Sequence, residues 1–396
     1  MLADRIPEIQ AALVEAEVDG WFFAVFQGND PIALDLLGLG SRGLVTRRCY
    51  YLIPSSGEPL RLVHDLEPAM LDHLPGTKDR YRTWQEHRQG IERLVRDCRR
   101  LAAQYSPKNE LPSVSRLDVG TAELLASYGV ELETSAELTQ RFAAAWTPAQ
   151  LEGHRRANVH LHRIVREAFA LVGDALRAGR TIDEYQVMRF IHESFDRAGL
   201  HTMADPIVGT NGHAADPHYE PTAESAWKIG KGDFLLIDLW AKEKADPESV
   251  YADITWCGVC AASPTDRQQE IWRITRYARD AGIELVQSRW PHTPIRGFEV
   301  DDATREVIRT AGYAEQFIHR TGHSIGIQDH GQGANMDNLE THDTRRLIAW
   351  TGFSIEPGIY LAGEFGVRTE VNIALTPEAA EVTGGEPQRE LLRLLE

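Results

Sequence analysis

Acidic residues inside segments that otherwise read as buried strands constrain this chain most. "DFLLIDLWA" (233–241) carries Asp238 at the end of an apolar run, and "SVYADITWCGVCAA" (249–262) carries Asp253 among apolar and β-branched residues. Further on, "GFSIEPGIYLA" (352–362) and "GVRTEVNIALT" (366–376) alternate as strands do. Side chains on a strand point alternately to its two faces. One face of the first segment then holds Phe353, Ile355, Ile359 and Leu361, and the other holds Ser354, Glu356, Gly358 and Tyr360. In the second segment Val367, Val371, Ile373 and Leu375, with Thr369 as the polar exception, oppose Arg368, Glu370 and Asn372. With "AGEFG" as a hairpin turn, pairing the two would bring Glu356 and Glu370 to one polar face. A buried carboxylate is costly unless it is paired or bound to a cation. Arg368 alone cannot compensate four of them.

Between these segments lies "FIHRTGHSIGIQDHGQG" (317–333), with His319, His323 and His330 separated by glycines. Upstream, "VGTNGHAADPHYEP" (208–221) adds His213 and His218 in a loop punctuated by Gly and Pro. Histidines at this density among backbone-permissive residues read as a site. Two Asp, one His and two Glu form a ligand set dominated by hard oxygen. It suits two divalent ions, Mn²⁺ first, with Co²⁺, Fe²⁺ or Zn²⁺ as alternatives. Shared carboxylates would hold such ions ~3.5–4 Å apart with a bridging hydroxide between them, which is equipment for hydrolysing an amide or ester.

"DITWCGVC" (253–260) also spells C-x-x-C, with Cys257 and Cys260. A redox pair of this kind sits on a strand-to-helix turn that lowers a thiol pKa. Here the cysteines follow a strand, on which positions i and i+3 face opposite ways. We read them as packing residues and Asp253 as the functional one.

The 396 residues predict two domains: an α/β domain over 1–146, and a domain over 147–396 with helices on a mainly antiparallel sheet. In the first part we expect a helix over 2–18, strands at 20–26, "RCYYLIP" and "LRLVHDL", a helix over 84–104 and a strand at "RLDVG" (116–120). "GLGSRG" (38–43) is not placed between a strand and a helix as a nucleotide loop would be. The second part opens with Thr147 as cap and Pro148 at the first helical position. Further helices are expected over 181–200 with Thr181 as cap, over 266–289 and over 298–313. The formal charge of −17 disfavours nucleic acid and anionic membranes as partners. No apolar run approaches the ~18 residues of a membrane span. The N-terminal sequence does not read as a signal peptide, and four cysteines do not make a disulfide framework, so a cytoplasmic setting is expected.

In "LIDLWA", "YADIT", "RTGHSIGIQDH", "FSIEPGIYL" and "GVRTEVN", taken in order, the chain resembles the pita-bread metallopeptidases, specifically prolidase and aminopeptidase P. The resemblance covers about 147–385 and implies an α+β pita-bread (creatinase/aminopeptidase) catalytic domain behind an α/β N-terminal domain. It implies that Asp238 chelates one metal, that Asp253 and Glu370 bridge both, and that His323 and Glu356 complete the coordination of the other metal. Glu356 would also shuttle the proton. His218 and His330 would hold the scissile amide, with His319, Tyr360 and Arg368 lining the site. The implied reaction is hydrolysis of the bond before proline in a small peptide with proline second: an Xaa-Pro dipeptidase, with an Xaa-Pro aminopeptidase or a small-amide hydrolase on the same fold as alternatives. A homodimer is the family expectation. The chain departs from the pattern at the "KEKADPES" hairpin tip, at Trp256-Cys257, at Gly331 and the following "QGANMDN", and at Val371. These departures bear on the substrate pocket more than on the ligands.

Overall fold

The computed structural model describes residues 2–40 and 45–396. The chain divides into two compact units, Met1–Ala143 and Ala144–Glu396.

In the first unit, the wholly apolar strand Gly20–Val25 lies inside a six-stranded mixed sheet. It pairs antiparallel with Cys49–Pro54 and parallel with Arg100–Ala103. Trp21 and Phe23 pack into one hydrophobic cluster and Phe22 and Ala24 into another, so both faces of the strand are covered. That is why it reads as a continuous apolar run. The structure corrects two expectations here. The helix beginning at Trp84 ends at Val95, and Arg100–Ala103, expected as its continuation, is a strand. "RLDVG" is not a strand either: the Asp118 side chain accepts from the Thr121 N–H and caps a helix over Val119–Ser127. Of the "GLGSRG" motif, residues 41–43 lie outside the described residues.

In the second unit, Thr147 caps the helix Pro148–Arg177, with Gln150 completing a reciprocal capping box. Asp183 rather than Thr181 caps Glu184–Ala198, because its carboxylate reaches the Gln186 N–H. Helices Asp266–Arg289 and Gly297–Thr310 follow. Strands Phe234–Glu243 and Ala252–Val259 pair antiparallel, with Asp238 opposite Thr255 and Trp240 opposite Asp253. Paired residues share a face. Asp238, Trp240, Asp253 and Thr255 therefore point one way, while Ile237, Leu239, Ile254 and Trp256 pack against the two helices of 148–198.

The expected second hairpin is interrupted. Its arms divide into Thr351–Ile355 with Gly358–Leu361, and Phe365–Arg368 with Val371–Leu375. Register is kept across the break: Ser354 faces Asn372 and Gly358 faces Arg368, so Glu356 falls opposite Glu370. Pro357 supplies no N–H for the ladder at this point, which helps to open it. Both carboxylates thus stand where the strands part.

Candidate active site

Three backbone joints bring the segments together. The Glu370 N–H donates to Thr255 O (3.1 Å), and the Asp253 N–H donates to the Asn372 side chain (2.9 Å), which lays 370–372 along 253–255. The Glu356 N–H donates to Thr321 O (2.8 Å). The Ser354 hydroxyl accepts from the His323 N–H (3.0 Å) and donates to Glu356 Oε1 (3.0 Å), which sets the histidine beside the glutamate.

His323 Nε2 then lies 3.6 Å from Asp253 Oδ2 and 3.4 Å from Glu356 Oε1. The other ring nitrogen, Nδ1, is 3.1 Å from Ser324 O. A proton on Nδ1 leaves the Nε2 lone pair facing the carboxylates, which is how a ligating histidine is oriented. Donor atoms of Asp253, His323 and Glu370 all lie within 4.8 Å of one another, a spacing that can hold one ion.

The buried acids are strained by their surroundings. Asp238, Asp253 and Glu370 are 7%, 5% and 2% exposed. Asp238 Oδ1, Asp253 Oδ1 and Glu370 Oε1 are buried with no hydrogen-bond partner among the described residues. Burial pushes the Asp253 carboxyl well above its ordinary range, helped by Asp329, Asp238 and Glu356. Burial does the same to Glu370, helped by Asp253 and Glu356. Glu356 differs: burial opposes its charge, but His323, His319 and Arg368 together hold it below the usual value. Arg368 is the cation built into the cluster. It donates to Asp238 Oδ2, to Thr255 Oγ1 (3.1 Å) and to Tyr360 Oη (3.2 Å), and Thr255 Oγ1 passes a bond to Glu370 Oε2 (2.8 Å). One guanidinium among four carboxylates leaves the unpartnered oxygens uncompensated. Hard-oxygen donors with one imidazole fit divalent cations.

A cavity of about 610 Å³ opens onto this cluster, and Asp238, Asp253, His323, Glu356 and Arg368 line it. His218, His319 and His330 line it as well. His319 Nε2 is 2.8 Å from Tyr360 Oη, and its Nδ1 is 2.7 Å from Arg320 O. Burial brings the His319 pKa down to about 4, so its ring is neutral. Closeness to His323, with burial, brings His330 down to about 3. The ten residues to which the resemblance gives a role therefore gather at this cluster, whereas His213, also noted in the sequence, is bonded to Glu184 and does not line the cavity. Asp253, His323 and Glu370 form the tight group, Asp238 and Glu356 flank it, Glu370 and Tyr360 lie behind the cavity wall, and His218 and His330 stand exposed at the mouth.

Other contributors were not apparent from sequence. Glu184, fully buried, accepts from the Thr210 and Trp227 N–H groups (both 2.7 Å), from Thr210 Oγ1 (2.7 Å), from His213 Nδ1 (2.9 Å) and from Tyr219 Oη (2.8 Å). His213 is stacked between Tyr219 and Trp227, at 3.9 and 3.7 Å between ring centroids. This one acid pins the loop that carries His218. Thr255 and Asp329 are further members of the cluster.

Cys257 and Cys260 are free and buried in different hydrophobic clusters. Burial pushes both thiols up to about 12, the reverse of a redox pair. Among the described residues no helix is long and apolar enough to cross a membrane.

Comparison with known proteins agrees with this geometry. The sequence profile of metallopeptidase family M24 matches residues 155–377. An Xaa-Pro dipeptidase of Lactobacillus helveticus is 32% identical over 205 residues, 51% of this chain and 50% of that protein. The chain thus spans about half the length of the curated relatives it matches. The crystal structure of dipeptidase PepE from Mycobacterium ulcerans superposes with a TM-score of 0.73 at 24% identity, covering 99% of this chain and 98% of that one. An X-prolyl aminopeptidase from Caenorhabditis elegans, described as a cytosolic enzyme with a di-nuclear active site, superposes with a TM-score of 0.65 at 18% identity, covering 94% of this chain and 58% of that one. The chain belongs to metallopeptidase family M24 and has its pita-bread fold.

Proposed function

We propose that this protein is a dinuclear-metal Xaa-Pro dipeptidase, with Asp238, Asp253, His323, Glu356 and Glu370 as the protein ligands. The observation that carries this reading is a set of buried carboxylates beside His323: Asp238, Asp253 and Glu370 each keep one oxygen without a partner among the described residues, and His323 Nε2 lies 3.6 Å from Asp253 Oδ2 and 3.4 Å from Glu356 Oε1. Asp253 and Glu370 would serve both ions, Asp238 one of them, and His323 with Glu356 the other. When bound, two divalent ions polarise a carbonyl and make a water nucleophilic near neutral pH. The residues of the chain supply the rest. Glu356, whose carboxyl its neighbours hold below the usual value against the effect of burial, takes a proton from the attacking water and returns it to the proline nitrogen as the bond breaks. Its Oε1 is occupied by the Ser354 hydroxyl, which leaves Oε2 as the proton-carrying atom. His218 and His330, at the mouth, hold the scissile amide and steady the oxyanion. Arg368 offsets part of the burial cost of the Asp238 charge and ties that residue through Tyr360 to His319, so these three fix the floor of the pocket.

Manganese as the resident ion, a homodimeric assembly and a cytoplasmic setting belong to the same reading. The named dipeptidase relative supports a dipeptide substrate. The likeness to an X-prolyl aminopeptidase supports a longer one as the second reading. The deciding assay uses chelator-stripped protein, with and without Mn²⁺, on Ala-Pro and Ala-Pro-Ala. Manganese-dependent cleavage of Ala-Pro alone is the expected result. Preference for the tripeptide would make the protein an aminopeptidase. Cleavage of neither, with two ions bound, would point to a non-peptide amide.

A further inference from the structure

Asp329 is a carboxylate that the five-ligand scheme leaves unused. It lines the same cavity, in the loop between His323 and His330. Its Oδ1 is buried without a hydrogen-bond partner among the described residues, and its side chain as a whole is 23% exposed. The nearest group able to carry positive charge is His330, whose Nε2 is 3.8 Å from Asp329 Oδ2, too far for a hydrogen bond. The loop is closed tightly: the Gly331 N–H donates to Ser324 O (2.7 Å), the Gly326 N–H donates to Gln328 O (3.0 Å), and Gly326 O accepts from the Tyr251 N–H (2.9 Å). A Cβ at position 331 would lie 2.9 Å from Ser324 Oγ and 3.0 Å from Gly326 N, so the chain there has no room to spread. The carboxylate is therefore built into its place.

Two donor groups meet at one histidine. Asp253, His323 and Glu370 hold their donor atoms within 4.8 Å of one another, and so do His323, Asp329 and His330. The His323 and His330 rings are 4.2 Å apart between centroids. The two groups share His323, and Asp329 lines the cavity together with Asp253 and His323. A carboxylate with an orphaned oxygen beside other acids gains most from a cation.

We infer that Asp329 is an additional protein ligand to the ion held by His323, closing that ion's coordination from the cavity side. The inference rests on the two-metal reading above. It adds one negative charge to the centre beyond the four carboxylates, so that ion is the more tightly held of the two.

The test is titration of the chelator-stripped full chain with Mn²⁺ by calorimetry, together with the visible absorption of the Co²⁺-loaded protein, for wild type, Asp329→Asn and Asp329→Ala. Far-UV circular dichroism checks that each variant is folded. The expected result is two Mn²⁺ sites in wild type, with one of them weakened roughly ten-fold or more in both variants. The Co²⁺ bands should change in intensity as that ion loses a ligand. Two sites of wild-type affinity in the variants would overturn the inference and leave the two-metal reading intact. Weakened binding with an unchanged Co²⁺ spectrum would also overturn it, since charge alone would then explain the loss. A wild-type chain that binds no Mn²⁺ would sink the two-metal reading itself, and this inference with it.

Discussion

Glu184→Gln should destabilise the second unit and slow turnover while leaving metal binding untouched. The wild-type carboxylate is fully buried and serves only donors from the 210–227 segment. Glutamine keeps one oxygen. If that oxygen stays with Thr210, the new amide N–H₂ faces the Trp227 N–H, which then has no acceptor. Leaving a buried donor unmet costs about 1–3 kcal/mol, and the remaining bonds lose their charge assistance. The tyrosine hydroxyl can turn round and accept, so Tyr219 adds little. The net expectation is a loss of about 2–4 kcal/mol. Urea unfolding of the chelator-stripped chain would read it as a lower midpoint at unchanged slope. Hydrogen exchange would report it locally, as lost protection of the Thr210 and Trp227 amides. The kcat should fall because the loop bearing His218 is no longer pinned. Mn²⁺ affinity should stay, because no Glu184 hydrogen bond reaches 238, 253, 323, 356 or 370. A wild-type midpoint with wild-type exchange would refute the reasoning. So would lost Mn²⁺ binding at full stability, since it would give Glu184 a role the geometry does not support.

Glu370→Gln should lose metal and activity together, and calorimetric Mn²⁺ titration beside the Ala-Pro assay checks it; full occupancy at the wild-type rate would remove Glu370 from the bridging role. Buried histidines away from the cavity set an acid limit on stability. Burial brings His154 and His162 down to about 4. Each is neutral in the fold, whereas the unfolded chain takes up its protons near pH 6.5. The contribution of these histidines should therefore be fully present above about pH 6.5 and be lost as pH drops toward 4, by up to about 3 kcal/mol per histidine at one pKa unit per 1.36 kcal/mol, while the buried acids raised at the cavity act in the opposite sense. Urea midpoints from pH 7 to 4 test this, and His162→Leu should flatten the slope.

Legibility in the sequence followed the range of the interaction. Alternation with period two put Glu356, Tyr360, Arg368 and Glu370 on one face of their strands, and register pairs confirm that arrangement. Such a pattern is local, and a buried acid within it is conspicuous. The break in those strands was not legible. Nothing in "FSIEPGIYL" apart from Pro357 marks where one sheet ends, because the parting depends on Glu356 bonding to Thr321 and Glu370 to Thr255, far away in the chain. The same limit explains the helix wrongly extended past Val95. Arg100–Ala103 continues an apolar helical pattern, but the Asp19 carboxylate takes the Arg99 and Arg100 N–H groups (2.6 and 2.8 Å) and aligns them with Gly20–Val25. Glu184 was invisible for a different reason. An acid in the first turn of a helix reads as a favourable end charge, and nothing at position 184 announces that its donors come from 210 to 227. Asp329 lay in plain view between two histidines, yet a carboxylate in a glycine-rich loop reads as solvated. Only the buried, unpartnered Oδ1 separates it from an ordinary surface acid. A sequence pattern thus tells which face an acid occupies, and the fold tells whether anything answers it. In this chain the unanswered acids are the ones gathered at the cavity.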